Sequence, residues 1–198
     1  MVTPPLLCSE SVFVLRPNWE LLVQAYDDYQ SARHPEYGKC PETKHNCAVR
    51  MSIALYRAGS VTLEEFGSQA DARSNRGRSK RVHRGRCGLK APHVRGAQEL
   101  AYHLHSVWSN PREVYRRGGD APAAIKGRNG IVFFKNCYNR KFKNKKTGKV
   151  TKRKTGDHID LWNGSTFWNI KLGISAGGGR SADAPLFGDS AEVWFFQM

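Results

Sequence analysis

Two residues in this sequence, Cys47 and His158, have the types and settings that nucleophilic catalysis needs. Cys47 follows Asn46, which is a favourable helix cap, and precedes apolar residues at helical spacing. In the first turn of a helix, the dipole and the free backbone N–H groups lower the pKa of a thiol. A histidine held nearby can take up and return the proton. The pair therefore predicts a cysteine hydrolase.

His158 lies in a stretch that predicts a β-hairpin. Apolar and polar residues alternate after it and lead into Asn163-Gly164, a dipeptide favoured in two-residue type I′ turns. A loop of these two residues places Asn169 directly opposite His158 on the returning strand. Opposed side chains are about 5 Å apart at Cβ, within reach of an imidazole nitrogen. Asn169 is therefore predicted to orient the histidine, as amides do in papain-like sites.

Asp160 is the alternative for this orienting role. The same register places it opposite Phe167 and on the same sheet face as His158. It lies two residues further along the strand, roughly 6–7 Å away, which is a poorer reach than the cross-strand position. The sequence favours Asn169 and leaves Asp160 open.

Three amphipathic helices are predicted around these residues, over residues 17–26, 46–59 and 96–108. His103 and His105 lie in the third helix and are expected on its surface. No acidic or cysteine partner recurs near them at a metal-ligand spacing, so no metal or cofactor site is predicted.

Two apolar runs rich in β-forming residues, 130–138 and 191–198, predict buried strands. Between the first run and His158, residues 139–154 contain nine Lys or Arg residues and predict an extended hairpin. Asp183 and Asp189 are expected in loops near the C-terminus. Helices followed by strands predict an α+β fold.

Length and charge narrow the function classes. A chain of 198 residues with 39% hydrophobic content suits one globular domain over residues 1–198. The formal net charge of +15 predicts an anionic partner: nucleic acid, a membrane surface or an acidic wall polymer. Residues 73–95 add nine basic residues without an aromatic residue on which bases could stack. A nucleic-acid-binding protein or nuclease is the alternative, supported by charge alone.

The N-terminus has no basic segment, long apolar core or small-residue cleavage site, so no secretory signal peptide is predicted. No apolar run approaches the ~20 residues of a membrane span. Four cysteines remain beside Cys47, and they allow three disulfide pairings that the sequence does not rank. Paired and reduced thiols both stay open for these four: Cys8, Cys40, Cys87 and Cys137.

Four segments resemble, in this order, the fourth family of type VI secretion amidase effectors. They are Asn-Cys-Ala-Val-Arg-Met-Ser-Ile-Ala-Leu from Asn46, Arg-Gly-Ala-Gln-Glu-Leu-Ala from Arg95, Gly-Asp-His-Ile-Asp-Leu-Trp-Asn-Gly from Gly156, and Glu-Val-Trp-Phe-Phe from Glu192. The resemblance runs from about Trp19 to the C-terminus. It implies a papain-like fold of the NlpC type, with N-terminal helices packed on an antiparallel sheet.

The resemblance also implies an activity and its residues. Such proteins are antibacterial toxins that cut peptidoglycan stem peptides between D-glutamate and meso-diaminopimelate. Carried over, Cys47 is the nucleophile and His158 the base, and Asn169 holds the place of the family's usual aspartate. The basic segment at about 139–155 looks like an insertion relative to the family.

The resemblance further implies where the protein acts and with what. The chain is expected to be made in the cytoplasm, exported by the type VI apparatus and active in the periplasm of target bacteria. Its implied partners are stem peptides and a cognate immunity protein, with no nucleic acid.

Overall fold

A computed structural model describes seven stretches of the chain: residues 16–30, 47–59, 82–83, 93–94, 96–108, 113–168 and 183–198. Several sequence predictions fall on residues outside these stretches. They are the predictions for Cys8, Cys40, Asn46, Cys87 and Asn169.

The described residues form helices that lead into a sheet. The helices are α1 (Trp19–Gln30), α2 (Cys47–Arg57), α3 (Ala97–Val107), α4 (Ala121–Ile125) and α5 (Asp183–Asp189), with a 3-10 turn at Gly118–Asp120. The strands are β1 (Val82–His83), β2 (His93–Val94), β3 (Glu113–Tyr115), β4 (Asn129–Lys143), β5 (Val150–Asn163) and β6 (Glu192–Gln197). The three helices and both apolar strands predicted from the sequence are present in it.

Within the described residues, four antiparallel strands form the main sheet, in the order β3-β6-β4-β5. β5 therefore lies at one edge of the described sheet, and β4 pairs with both β5 and β6. The predicted α+β class is confirmed. No helix among the described residues is long and apolar enough to cross a membrane.

Helices cover both faces of this sheet. On one face, α1, α2 and α3 bury Leu22, Met51 and Leu100 against Phe133 and Trp194 of the strands. On the other face, α4 and α5 pack on the alternate strand residues. Members of this second cluster include Ile125, Phe134, Phe187 and Val193. Burial of each such side chain stabilises the fold by about 1.5–3 kcal/mol.

Two expectations about local structure are wrong. His103 was expected on the surface, but only 4% of it is exposed. Asp183 and Asp189 were expected in loops, but they are the first and last residues of α5. Pro185 and Gly188 favour a loop locally. The short helix forms because it buries apolar side chains, among them Phe187, against the sheet.

Gly118 and its neighbour Gly119 offer a matched test of packing on α5. A Cβ at Gly118 would lie 2.0 Å from the Phe187 carbonyl oxygen, whereas a Cβ at Gly119 meets nothing within 4 Å. We expect Gly118→Ala to lower the free energy of unfolding by about 1–3 kcal/mol. Gly119→Ala should change it by less than about 0.5 kcal/mol. Urea unfolding of both variants checks this, and equal effects would contradict the close approach.

Candidate active site

Cys47 is the first residue of α2, as the sequence predicts. Below it the helix buries Ala48, Met51 and Leu55 completely, which fixes the direction of its axis. Gly59 follows the helix at φ 71° and its N–H donates to the Tyr56 carbonyl oxygen. The helix therefore presents its N-terminus, and with it Cys47, towards β5.

His158 lies on β5 and is 4% exposed. Its direct partner on β4 is Phe134. The imidazole stacks on the Phe134 ring, with centroids 6.1 Å apart, and meets the Tyr138 ring edge-on at 5.9 Å. Two aromatic rings therefore restrict the histidine on the α5 side of the sheet.

The Cys47 thiol and the His158 imidazole lie close enough for each to shift the pKa of the other. Burial opposes ionisation of Cys47, but His158, the backbone N–H of Ile159 and the charge of Arg50 outweigh it and lower the thiol pKa. Burial likewise opposes protonation of His158, yet Cys47 and Asp160 raise the imidazole pKa. Both shifts favour a thiolate–imidazolium pair.

Asp160 lies behind this pair. Its Oδ2 is 3.5 Å from His158 Nε2, and the carboxylate is 1% exposed. This distance exceeds that of a good hydrogen bond, so the contact is a charge pairing. Oδ1 accepts hydrogen bonds from the Tyr26 hydroxyl at 2.9 Å and from the Leu161 N–H at 2.8 Å. Burial, followed by Asp160, raises the pKa of Tyr26, so the phenol remains a donor.

The contact with Asp160 corrects the reach expected from the sequence. A separation of roughly 6–7 Å applies to positions two apart on a strand. The carboxylate and the imidazole close that gap with their side chains, and Tyr26 holds the carboxylate from the far side. Asp160 thus has the contact that an orienting residue needs.

The turn after Asp160 differs from the predicted one. Phe167 pairs with Trp162 across an isolated bridge, so it does not face Asp160, and the predicted register is wrong. Asn163 Oδ1 accepts the Thr166 N–H at 2.9 Å. This side-chain bond places Asn163 at the start of the turn, and among the described residues of the turn Gly164 has a positive φ, of 87°. A type I′ turn needs two such residues.

Asn169 lies outside the described residues, and its orienting role stays a prediction.

A β-bulge in β4 shapes the site, and the sequence reading missed it. The pairing jumps from Phe134–His158 to Tyr138–Gly156, leaving three β4 residues opposite Asp157. Asn136, in the bulge, has φ 55°, and its N–H donates to Asp157 Oδ1 at 2.9 Å. Asparagine tolerates this conformation better than most residues, which is the one sequence signal available.

The bulge brings Tyr138 beside the histidine. In a regular ladder the residue opposite Gly156 would be Asn136, and the bulge substitutes Tyr138. The Tyr138 hydroxyl is buried and has no hydrogen-bond partner among the described residues. Burial, followed by Cys137 and Cys47, raises the pKa of Tyr138, so the group is a neutral phenol.

Cys137 is a free, buried thiol. It therefore does not take part in a disulfide, although the sequence left that pairing open. Within the part of the chain that the structure describes, no group of three or more His, Cys, Asp or Glu side chains could hold a metal ion.

The carboxylate behind His158 gives a graded prediction. Asp160→Asn keeps the side-chain shape but removes the charge that faces the imidazolium, so we expect turnover to fall about 10- to 100-fold. Tyr26→Phe removes one hydrogen-bond donor to that carboxylate and should have a smaller effect. Initial rates on peptidoglycan check both, with melting temperatures as the folding control. A Tyr26→Phe loss larger than that of Asp160→Asn would contradict the arrangement.

Comparisons with known proteins identify the family and the fold. The model of Tae4, the type VI secretion system amidase effector protein 4, matches residues 44–196. A search of curated proteins finds no match. The Tae4–Tai4 effector–immunity complex from Enterobacter cloacae is similar at TM-score 0.55 and 15% identity, over 93% of this chain and 99% of that one.

Two further solved structures are similar to this chain. Tae4 alone from Enterobacter cloacae has a TM-score of 0.51 and 16% identity, over 93% of this chain and 98% of that one. The Tae4–Tai4 complex from Salmonella Typhimurium has a TM-score of 0.51 and 16% identity, over 91% and 97%. These likenesses support the papain-like fold. Because the family model covers well over half of its length, the chain belongs to the Tae4 family of type VI secretion amidase effectors.

Proposed function

We propose that this amidase effector hydrolyses peptidoglycan stem peptides between D-glutamate and meso-diaminopimelate. The observation that carries the proposal is the pair formed by Cys47, at a helix N-terminus, and the buried His158, with the Asp160 carboxylate 3.5 Å behind the imidazole. This is the charge arrangement that a cysteine amidase needs.

The reaction follows from these positions. The Cys47 thiolate attacks the amide carbonyl carbon, and the developing oxyanion is stabilised by the backbone N–H of Cys47 at the start of α2. His158 gives its proton to the amine as the C–N bond breaks, leaving a thioacyl enzyme. His158 then takes a proton from water, which attacks the thioester. The C–S bond breaks, releasing a carboxylate product and restoring the pair.

Asp160 stabilises the imidazolium in this scheme. Its position beside Nε2 supports the role, since a protonated His158 gains a buried counter-charge. Asn169 stays the alternative prediction for the same role.

The place of action and the inhibitor are part of the proposal. The effector is exported by the type VI apparatus and acts in the periplasm of target bacteria, where the polymer lies. The similar structures from Enterobacter cloacae and Salmonella Typhimurium are complexes with an immunity protein, Tai4. We propose that a cognate immunity protein binds this effector and covers the Cys47–His158 site.

Product analysis tests the bond assignment. Purified diaminopimelate-type peptidoglycan is digested with the enzyme, and the fragments are separated and identified by mass spectrometry. We expect stems that end at D-glutamate together with fragments that carry a new diaminopimelate amino terminus. Fragments that end elsewhere would overturn the assignment of the bond. An unchanged polymer would overturn the proposal that peptidoglycan is the substrate.

A further inference from the structure

The outer part of the β4–β5 hairpin is a two-stranded ribbon. β6 pairs with β4 between Gly130 and Lys135, so beyond the bulge β5 is the one described strand that pairs with β4. We call residues 139–154 the basic ribbon. It holds nine Lys or Arg residues and no acid, and its described side chains are exposed. The extended hairpin predicted from the sequence for these residues is thus a regular element that projects from the sheet.

The tip of the basic ribbon is built by its own hydrogen bonds. Asn144 Oδ1 accepts the backbone N–H groups of Lys146 at 2.8 Å and Thr147 at 3.2 Å. Gly148 adopts φ 69°, and its N–H donates to the Asn144 carbonyl oxygen at 2.9 Å. The cations are therefore presented on an ordered turn.

The pairing of the basic ribbon is electrostatically unfavourable. Lys141 lies directly opposite Lys152 in the register. Like charges in this position destabilise a hairpin, and a two-stranded ribbon is marginal on its own. An acidic side chain reaches the ribbon at its base, where Asp189 pairs with Lys154 at 3.0 Å. An external anion would relieve this repulsion.

A separate hollow near the tip of the basic ribbon offers a place for an anion, and strand alternation puts its Phe142 and Arg153 on the face opposite to Lys141 and Lys152. It measures about 300 Å³ and is lined by Phe142, Lys143, Asn144, Lys149, Thr151 and Arg153. The Arg153 guanidinium lies over the Phe142 ring at 5.8 Å, and the ring is 43% exposed. Three cations around an exposed apolar ring suit a carboxylate carried on a short apolar group.

We propose that the basic ribbon binds free carboxylates of peptidoglycan stem peptides and so retains the enzyme on its polymer; this rests on the proposed function. Lys154 is four residues from His158 on β5, about 13 Å along the strand. The ribbon therefore contacts a stem beside the one being cut. Each contact raises the effective concentration of the next bond. Phe142 is the ribbon's one aromatic residue, so it offers no series of stacking rings for nucleic acid.

Binding by an inactive protein tests this proposal separately from catalysis. The full chain with Cys47→Ala is sedimented with purified peptidoglycan sacculi at rising NaCl concentration. The test variant adds Lys143→Gln, Lys149→Gln and Arg153→Gln, all in the hollow. The control adds the same charge change at exposed positions on another part of the surface: Arg116→Gln, Arg117→Gln and Lys126→Gln.

We expect the ribbon variant to bind sacculi about tenfold more weakly, and the control to change less than twofold. Sacculi whose carboxylates have been amidated should bind both proteins equally weakly. Equal binding by the ribbon variant and its control would overturn the proposal, as would unchanged binding to amidated sacculi. Tighter ribbon-dependent binding to duplex DNA or to vesicles of phosphatidylglycerol would assign the surface to those polyanions instead.

A kinetic comparison separates this proposal from the proposed function. The ribbon triple variant, made with Cys47 intact, should hydrolyse a soluble single-stem muropeptide at the wild-type rate, because that substrate has no neighbouring stem for the ribbon to contact. It should hydrolyse sacculi more slowly than wild type. If wild type cuts neither substrate, the proposed function fails and the binding result still decides the ribbon.

Discussion

Cys47→Ala should reduce peptidoglycan hydrolysis by at least ~10⁴-fold, because the variant lacks the atom that attacks the carbonyl. The variant is expected to stay folded, because Cys47 is only partly buried and the hydrophobic cluster beside it is formed by other residues of α1, α2 and α3. Fragment release from sacculi, followed by chromatography, measures the loss.

Cys137→Ser provides the matched control. Cys137 is the other free cysteine of the described residues, and burial, followed by Cys47 and Asp157, raises its pKa. Its thiol therefore stays protonated and unreactive. We expect Cys137→Ser to retain most of the activity, and iodoacetamide to label Cys47 before Cys137. Activity that survives Cys47→Ala would remove Cys47 from the mechanism. Activity that disappears in Cys137→Ser at unchanged melting temperature would show that the Cys137 thiol is also required.

His158→Ala should lower hydrolysis by about 10³- to 10⁴-fold and also change the pH dependence of Cys47. The lowered thiol pKa means that alkylation of wild type persists below the pH range of an ordinary thiol. It falls only as the pH drops through that lowered value. Without His158, burial dominates, so the alkylation midpoint should move to higher pH. Rates of iodoacetamide modification between pH 4 and pH 10, followed by mass spectrometry, give both midpoints.

His105→Ala controls for the loss of an imidazole. His105 is exposed on α3, far along the chain from the catalytic segments. We expect this variant to keep the wild-type alkylation profile. A midpoint that stays in place in His158→Ala would show that another group sets the thiol pKa. Because alkylation needs no substrate, this result stands whatever polymer the enzyme cuts.

Local patterns in the sequence were sufficient for the elements that carry the site. Apolar spacing predicted α1, α2 and α3, and β-forming runs predicted β4 and β6. Cys47 at a helix start was predictable from its neighbours, because a helix N-terminus depends on residues within one turn. Helices and strands of this kind are determined over short distances in the chain.

Contacts between residues that are distant in the sequence could not be predicted from local patterns. Asp160 is held by Tyr26, 134 residues earlier, so no local pattern places its carboxylate beside the imidazole. The Asn163-Gly164 dipeptide fits two turn registers, and the observed one also places the Gly164 carbonyl oxygen 2.8 Å from the Gly127 N–H. The sequence alone could not choose between them.

The bulge at Asn136 likewise depends on a contact between residues that are distant in the sequence. Its backbone N–H is satisfied by Asp157 on the neighbouring strand, and the insertion changes which β4 side chain meets the histidine. The apolar run predicts a strand at this point, but it does not predict the extra residues that a bulge inserts into that strand. Tyr138 was therefore absent from the predicted site.

The position of β5 at the edge of the described sheet has a consequence for aggregation. An outer strand exposes N–H groups that can pair with a strand of another molecule and so begin aggregation. Here the Leu161 N–H donates to Asp160 Oδ1 at 2.8 Å. The carboxylate that faces the imidazole thus also occupies a backbone donor that a strand of another molecule could otherwise use.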